Sequence, residues 1–233
     1  GGTIRAVTNL WIPAAATLYG SGANAITLDS REWAIAMTNR LSGTGGLNKS
    51  GSGTVLLSGK NSFTGLTQVA AGTLLLGSAT ALTNVPLAVA AGAALDLGGF
   101  AFTLAGVSGE GAVSNGSLAV QGAISPGTNG IGELTLSLAN STPGGTLVAE
   151  AQADGTCDVL HVTGDLSLSG MSLQVTAESQ LDTHKEYTII RCDGALSGRF
   201  SQRSLPSPWY VVYDYAAREV RLSAAVGTLI RVN

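Results

Sequence analysis

Apolar and polar positions alternate along this chain in short bursts, each closed by turn residues. Residues 54–57 (TVLL), 73–76 (TLLL), 117–120 (SLAV), 133–138 (ELTLSL), 146–149 (TLVA) and 172–175 (SLQV) mostly put Leu or Val at every second position. That is the period of a strand with one buried face. Similar phrases occupy 25–28, 87–89, 94–97, 102–104 and 166–168. Gly, Asn, Asp or Ser follows nearly every one, as tight turns require. The stretch 30–39 (SREWAIAMTN) tolerates a helix but reads as a strand with its turns.

The phrases also repeat. GTVLLSG from Gly53 to Gly59 returns as GTLLLGS from Gly72, with a polar corner, KNSFTG, between the copies. Matching phrases recur at roughly 20-residue intervals, the scale of one coil of a β-helix. In such a stack no unit buries its apolar face alone; parallel pairing from coil to coil hides every edge but those at the two ends. The fold expected is all-β, a single-stranded parallel β-helix. Gly53, Gly59 and Gly72 are expected at coil corners. Asn61 is expected to hydrogen-bond its own backbone there or to ladder with the next coil.

The last third differs. Residues 186–190 (EYTII), Phe200 and 209–215 (WYVVYDY) hold most of the aromatics of the second half, and 209–215 with 218–223 predicts an antiparallel hairpin. Alternation places Trp209, Val211, Tyr213 and Tyr215 on one face. This hairpin is expected to cap the open end of the stack. The division expected is therefore coils over 1–185 and a capping segment over 186–233. Residues 225–233 (AVGTLIRVN) read as a short terminal strand or the beginning of a further element.

Composition narrows the function. Hydrophobic residues make up 45%, charged residues 12% and aromatics 5%, with 32 glycines and a net charge of −3. The charged fraction is about half that of an ordinary soluble domain. No Lys/Arg cluster neutralises a row of phosphates, so nucleic acid is not an expected partner. The longest apolar candidate, 85–102, is broken by Gly92, Asp96, Gly98 and Gly99, so the chain is not expected to span a membrane itself. It opens on Gly1-Gly2 without a signal-like segment, as a fragment or a mature product would.

Residues 43–77, GTGGLNKSGSGTVLLSGKNSFTGLTQVAAGTLLLG, resemble the autotransporter-associated β-strand repeat over most of their length. AAGAALDLGG at 90–99, ISPGTNGIGELTL at 124–136, CDVLHVTGDLSLSGMSLQV at 157–175 and EYTIIRCDGALSGRF at 186–200 extend the resemblance. It implies a right-handed parallel passenger β-helix carried to the bacterial surface, whose C-terminal coils seed folding outside the cell. The family's membrane barrel is not seen after residue 223, so an anchor is expected elsewhere in the parent or not at all.

Other chemistry is sparse. His161 and His184 lack ligand partners at metal spacing and read as structural. Residues 112–116 (AVSNG) lack the first glycine of a nucleophile elbow. Residues 59–61 (GKN) do not continue as a phosphate loop. Glu150, Asp154 and Asp158 are close in sequence, but ADGTCD reads as a turn before VLHV and not as a glycosidase pair. Cys157 and Cys192 are spaced for a bridge between neighbouring coils and equally for two unpaired small residues near the core. Trp11, Trp33, Phe63, Trp209, Tyr210, Tyr213 and Tyr215 include candidate sugar platforms, with capping the favoured role at the C-terminal end. No catalytic, cofactor or metal residue is assigned. The expectation is a monomeric, non-enzymatic, secreted or cell-surface scaffold, the stalk and folding seed of a passenger. The alternative is an adhesin module for host or matrix glycans or surface proteins, followed by a β-helix hydrolase or lyase.

Overall fold

The structure, a computed structural model, describes residues 2–20, 22–128, 130–140, 142–177 and 180–224. The terminal strand read at 225–233 lies outside the described residues. The chain winds through successive coils, and most coils place one strand on each of two long faces. The first face is a ten-stranded sheet running from Thr3–Arg5 to Gln202–Ser204. The second is an eleven-stranded sheet that begins at Leu10–Ile12 and ends in the pair Glu219–Ala224 and Trp209–Asp214. Every pairing along the first face, and on the second up to Tyr187–Cys192, is parallel between one coil and the next. The all-β parallel helix expected from the alternation is the observed fold.

Register explains the repeat. On the first face Leu47, Thr67, Leu87 and Val107 stack in line, each 20 residues from the last. Toward the C-terminus the loops vary, and partners such as Leu173 and Arg203 stand 30 apart. On the second face Ile35, Val55, Leu74, Leu95, Val113, Leu136, Val162 and Cys192 form one inward column. All eight are buried. A one-residue slip in any coil would turn its column outward, so burial itself holds the register. The helix-tolerant stretch at 30–39 contains the strand Ala34–Met37.

A third, shorter side is discontinuous. Ala16–Leu18, Leu41–Gly43 and Ser62–Phe63 form one small sheet. Ala101–Leu104 pairs with Ser117–Val120, and Leu166–Ser167 with Leu196–Ser197. Side-chain amides take over where these sheets stop, as described below.

Candidate functional site

The C-terminal end is closed by a hairpin. Trp209–Asp214 and Glu219–Ala224 pair antiparallel, and the second of these strands runs antiparallel to Tyr187–Cys192, with an irregularity between Thr188 and Ile190. Trp209 is buried with its ring edge-on to the fully buried Tyr187, centroids 5.2 Å apart at 81°. Tyr213 lies 6.2 Å from Phe200 and stacks 6.3 Å from Tyr215. Its hydroxyl accepts the Phe200 N–H at 3.3 Å, and Tyr215 donates to the Gly198 carbonyl at 2.8 Å. Trp209, Tyr213 and Tyr215 are thus gathered on one face, tied to the chain that leads into the last first-face strand. On the opposite face Arg221 reaches Asp214 at 3.0 Å and Glu186 at 3.5 Å, pinning both hairpin strands to the preceding coil.

The repeat at 43–77 is held by polar groups inside the stack. Asn61, 4% exposed, accepts the Leu41 N–H at 2.8 Å and donates to the Ala81 carbonyl at 2.8 Å. One amide therefore ties three coils at a 20-residue spacing. Asn140 plays a related part at another gap in the third side, accepting from Leu118 N–H and donating to its carbonyl. A Cβ on Gly53 would strike the Trp33 carbonyl, and one on Gly59 the Asn39 carbonyl. Gly72 combines a positive φ of 65° with close approach to the Gly53 carbonyl.

Lys49 was not singled out by sequence, although alternation in LNKS places it inward. It is fully buried between Leu28 and Val69, and its ammonium donates to the carbonyls of Ser50, Gly51 and Ala71 at 3.0, 2.7 and 2.8 Å. Burial pushes its pKa down to about 8.

The acidic residues part company. Asp154 accepts from the Thr156 N–H and hydroxyl in an exposed turn. Asp158, only 2% exposed, accepts the Gly132 N–H at 2.8 Å and the Glu150 N–H at 2.9 Å. It lines a cavity of about 140 Å³ with Ser125, Pro126, Gly127, Gly130 and Glu150. Burial raises its pKa to about 6 against the pull of those two N–H bonds. His161 lies on the outer second face between Glu133, 3.5 Å from Nδ1, and Asp193, 3.2 Å from Nε2. His184 is exposed beside Asp182. Among the described residues no three His, Cys, Asp or Glu side chains gather as a metal site.

The cysteines are not bridged. Both are free and buried; Cys157 donates to the Thr188 carbonyl and Cys192 to that of Gly164. Of the two readings left open, the structure has the unpaired one. Burial drives the Cys157 thiol up to about 12 and the Cys192 thiol upward. Of the remaining aromatics Phe63 is core, whereas Trp11 is 65% exposed with its indole N–H donated to Thr38 at 3.2 Å. Trp33 and Tyr210 are also exposed.

Comparison with known proteins agrees with this architecture. Residues 47–76 match the passenger-associated-transport-repeat, so the chain carries that autotransporter repeat. The chain is 29% identical over 225 residues to the adhesin BmaC autotransporter of Brucella suis, an alignment covering 90% of this chain and 6% of that protein. It is 30% identical over 197 residues to the extracellular serine protease of Serratia marcescens, covering 79% of this chain and 17% of the relative. The similarity therefore reaches well beyond the matched repeat, while the chain spans only a small part of each relative.

Proposed function

We propose that this chain is a non-enzymatic scaffold segment of an autotransporter-type passenger, which extends a partner domain from the bacterial surface and seeds the folding of its own stack. The capping hairpin is the observation that carries the reading. Parallel coils pair residues distant in sequence and close slowly. A hairpin of adjacent strands closes first, and here it offers a preformed edge to Tyr187–Cys192. On this reading 186–233 is the capping and seeding part, its first strand still stacked in parallel on the coils of 1–185. The passenger repeat and the autotransporter adhesin relative support a surface setting. The protease activity named for the Serratia marcescens relative belongs to that protein.

Deleting 209–223 tests the proposal. The truncated chain is expected to aggregate or to be cut by low protease concentrations, and to refold more slowly than the full chain. Unchanged melting, protease resistance and refolding would overturn it. A second reading, an adhesin surface for glycans, is favoured by Trp11, an exposed ring fixed in orientation by its bond to Thr38. A glycan array with wild type and Trp11→Ala separates the two: binding that the variant loses supports the adhesin reading, and no binding at high micromolar concentration counts against it.

A further inference from the structure

The C-terminal end of the stack has two edges, and they are built differently. On the first face the buried inward column that runs from Leu47 to Leu173 ends in Arg203. The strand that carries it, Gln202–Ser204, is exposed throughout. A charge at the inward position of a short edge strand stops further stacking, because an added coil would bury it. The second face ends instead on Trp209–Asp214, six residues long and paired, among the described residues, only with Glu219–Ala224. This strand contains no Lys, Pro or bulge, and its middle is Val211-Val212. An edge of that kind is open to another strand.

Its free backbone groups can be named. Trp209 donates its N–H to the Pro206 carbonyl at 3.1 Å, away from the hairpin. Bonding in an antiparallel pair alternates from residue to residue, so Tyr210, Val212 and Asp214 exchange bonds with Ser223, Arg221 and Glu219. Val211 and Tyr213 turn their N–H and C=O groups to the free edge. The side chains of Trp209, Val211 and Tyr213 pack on the core, which leaves Tyr210, Val212 and Asp214 on the outer side.

We propose that this edge pairs with the same edge of a second copy, antiparallel about a two-fold axis at Val212. A two-fold contact needs a self-complementary patch, and the strand supplies one. With the axis there, Val211 of each copy lies opposite Tyr213 of the other, and each such pair exchanges both of its free N–H···O bonds. Val212 meets its own counterpart, and Tyr210 meets Asp214, so no like charges are opposed. An axis at Val211 would set Tyr213 against Trp209, whose N–H is already given to Pro206. Arg203 beside the hairpin refuses a whole coil, so only a single strand is added. A contact of this size is below that of a stable dimer, so association is expected in the micromolar range. The chain is then a weak dimer through its cap and not the monomer expected from its sequence.

The test is sedimentation of the whole chain across micromolar concentrations. The wild type is expected to pass from the mass of one chain to that of two. Val212→Lys and Val212→Glu each oppose like charges at the axis and are expected to weaken association by about tenfold or more. Mixing the two variants is expected to restore it, because the opposed charges then differ in sign. Melting and protease resistance of both are expected to match the wild type, which separates loss of pairing from loss of the cap. Val211→Pro removes a donor that faces the free edge and is expected to weaken association likewise. It keeps the test open if the variants at Val212 do not fold. A wild type that stays at the mass of one chain would overturn the pairing. So would a dimer indifferent to all three substitutions, or a mixture no tighter than either charged variant alone. A chain that dimerises only when cut after Ala224 would also overturn it and assign the edge to residues 225–233.

Discussion

A charged lysine sits in the apolar interior here only because each of its N–H groups has a carbonyl to meet. Lys49 Nζ gathers Ser50, Gly51 and Ala71, two from its own corner and one from the next coil. The Ser50 carbonyl also accepts from the Ser30 N–H and hydroxyl, so the ammonium matters most to the carbonyls of Gly51 and Ala71, where a buried acceptor left without a donor costs more than a made bond returns. Lys49→Met fits the volume but removes the donors, and is expected to destabilise by about 2–4 kcal/mol in denaturant unfolding. It should also change the alkaline limb of the stability profile. The Lys49 pKa falls from 10.5 in the unfolded chain to about 8 in the folded one. Between those values the unfolded chain binds more protons, so Lys49 makes wild-type stability rise with pH across that window. The methionine variant should lack that rise.

Corners and hairpin decide how strands become a stack. Gly53 and Gly92 both sit in the corner before a second-face strand, yet their environments differ. A Cβ on Gly53 meets the rigid Trp33 carbonyl of the preceding coil, whereas one on Gly92 meets nothing and suffers only its φ of 72°. Gly53→Ala should therefore cost about 2–4 kcal/mol, and Gly92→Ala about 1 kcal/mol, measured by thermal unfolding. The hairpin gives a similar contrast. Trp209→Ala opens a hole against Tyr187 and should cost about 3–5 kcal/mol, while Tyr210→Ala, on the exposed face, should stay within about 0.5 kcal/mol. These elements were legible in sequence because period-two alternation and glycine spacing are local signals. TVLL and TLLL matched the observed strands residue for residue, and WYVVYDY contains the strand Trp209–Asp214, of which Trp209 is the buried residue. The tertiary polar bonds were not legible. Asp158 looked like part of a turn because its partner Gly132 lies 26 residues away, and nothing local marks that contact. Lys49 could have been found, since alternation already pointed it inward. Whether the cysteines bridged depended on side-chain direction across coils, which spacing alone does not carry.

At the scale of the molecule, each coil touches only its neighbours, so stability is close to a sum of coil and interface contributions. That predicts which deletions the chain tolerates. Thr67 stands between Leu47 and Leu87 at 20-residue spacing, and its buried hydroxyl has no hydrogen-bond partner. Removing 67–86 takes out one whole turn and brings Leu47 beside Leu87, and Val55 beside Leu95, with every inward column preserved. It also sets Ser62–Phe63 next to Ala101–Leu104, across a gap in the third side. Asn61 loses its Ala81 acceptor and Lys49 its Ala71 acceptor, so the shortened chain should be weaker than wild type. It should nonetheless unfold cooperatively, with the near-ultraviolet signal of the Trp209–Tyr187 pair intact. Removing only 67–76 breaks the spacing and faces strands with corners; that variant should lose cooperative unfolding or aggregate. Equal behaviour of the two deletions would show that register between coils does not govern this fold. A tolerated whole-coil deletion would instead show that the stack can change length by units of one turn while its capping hairpin stays the same.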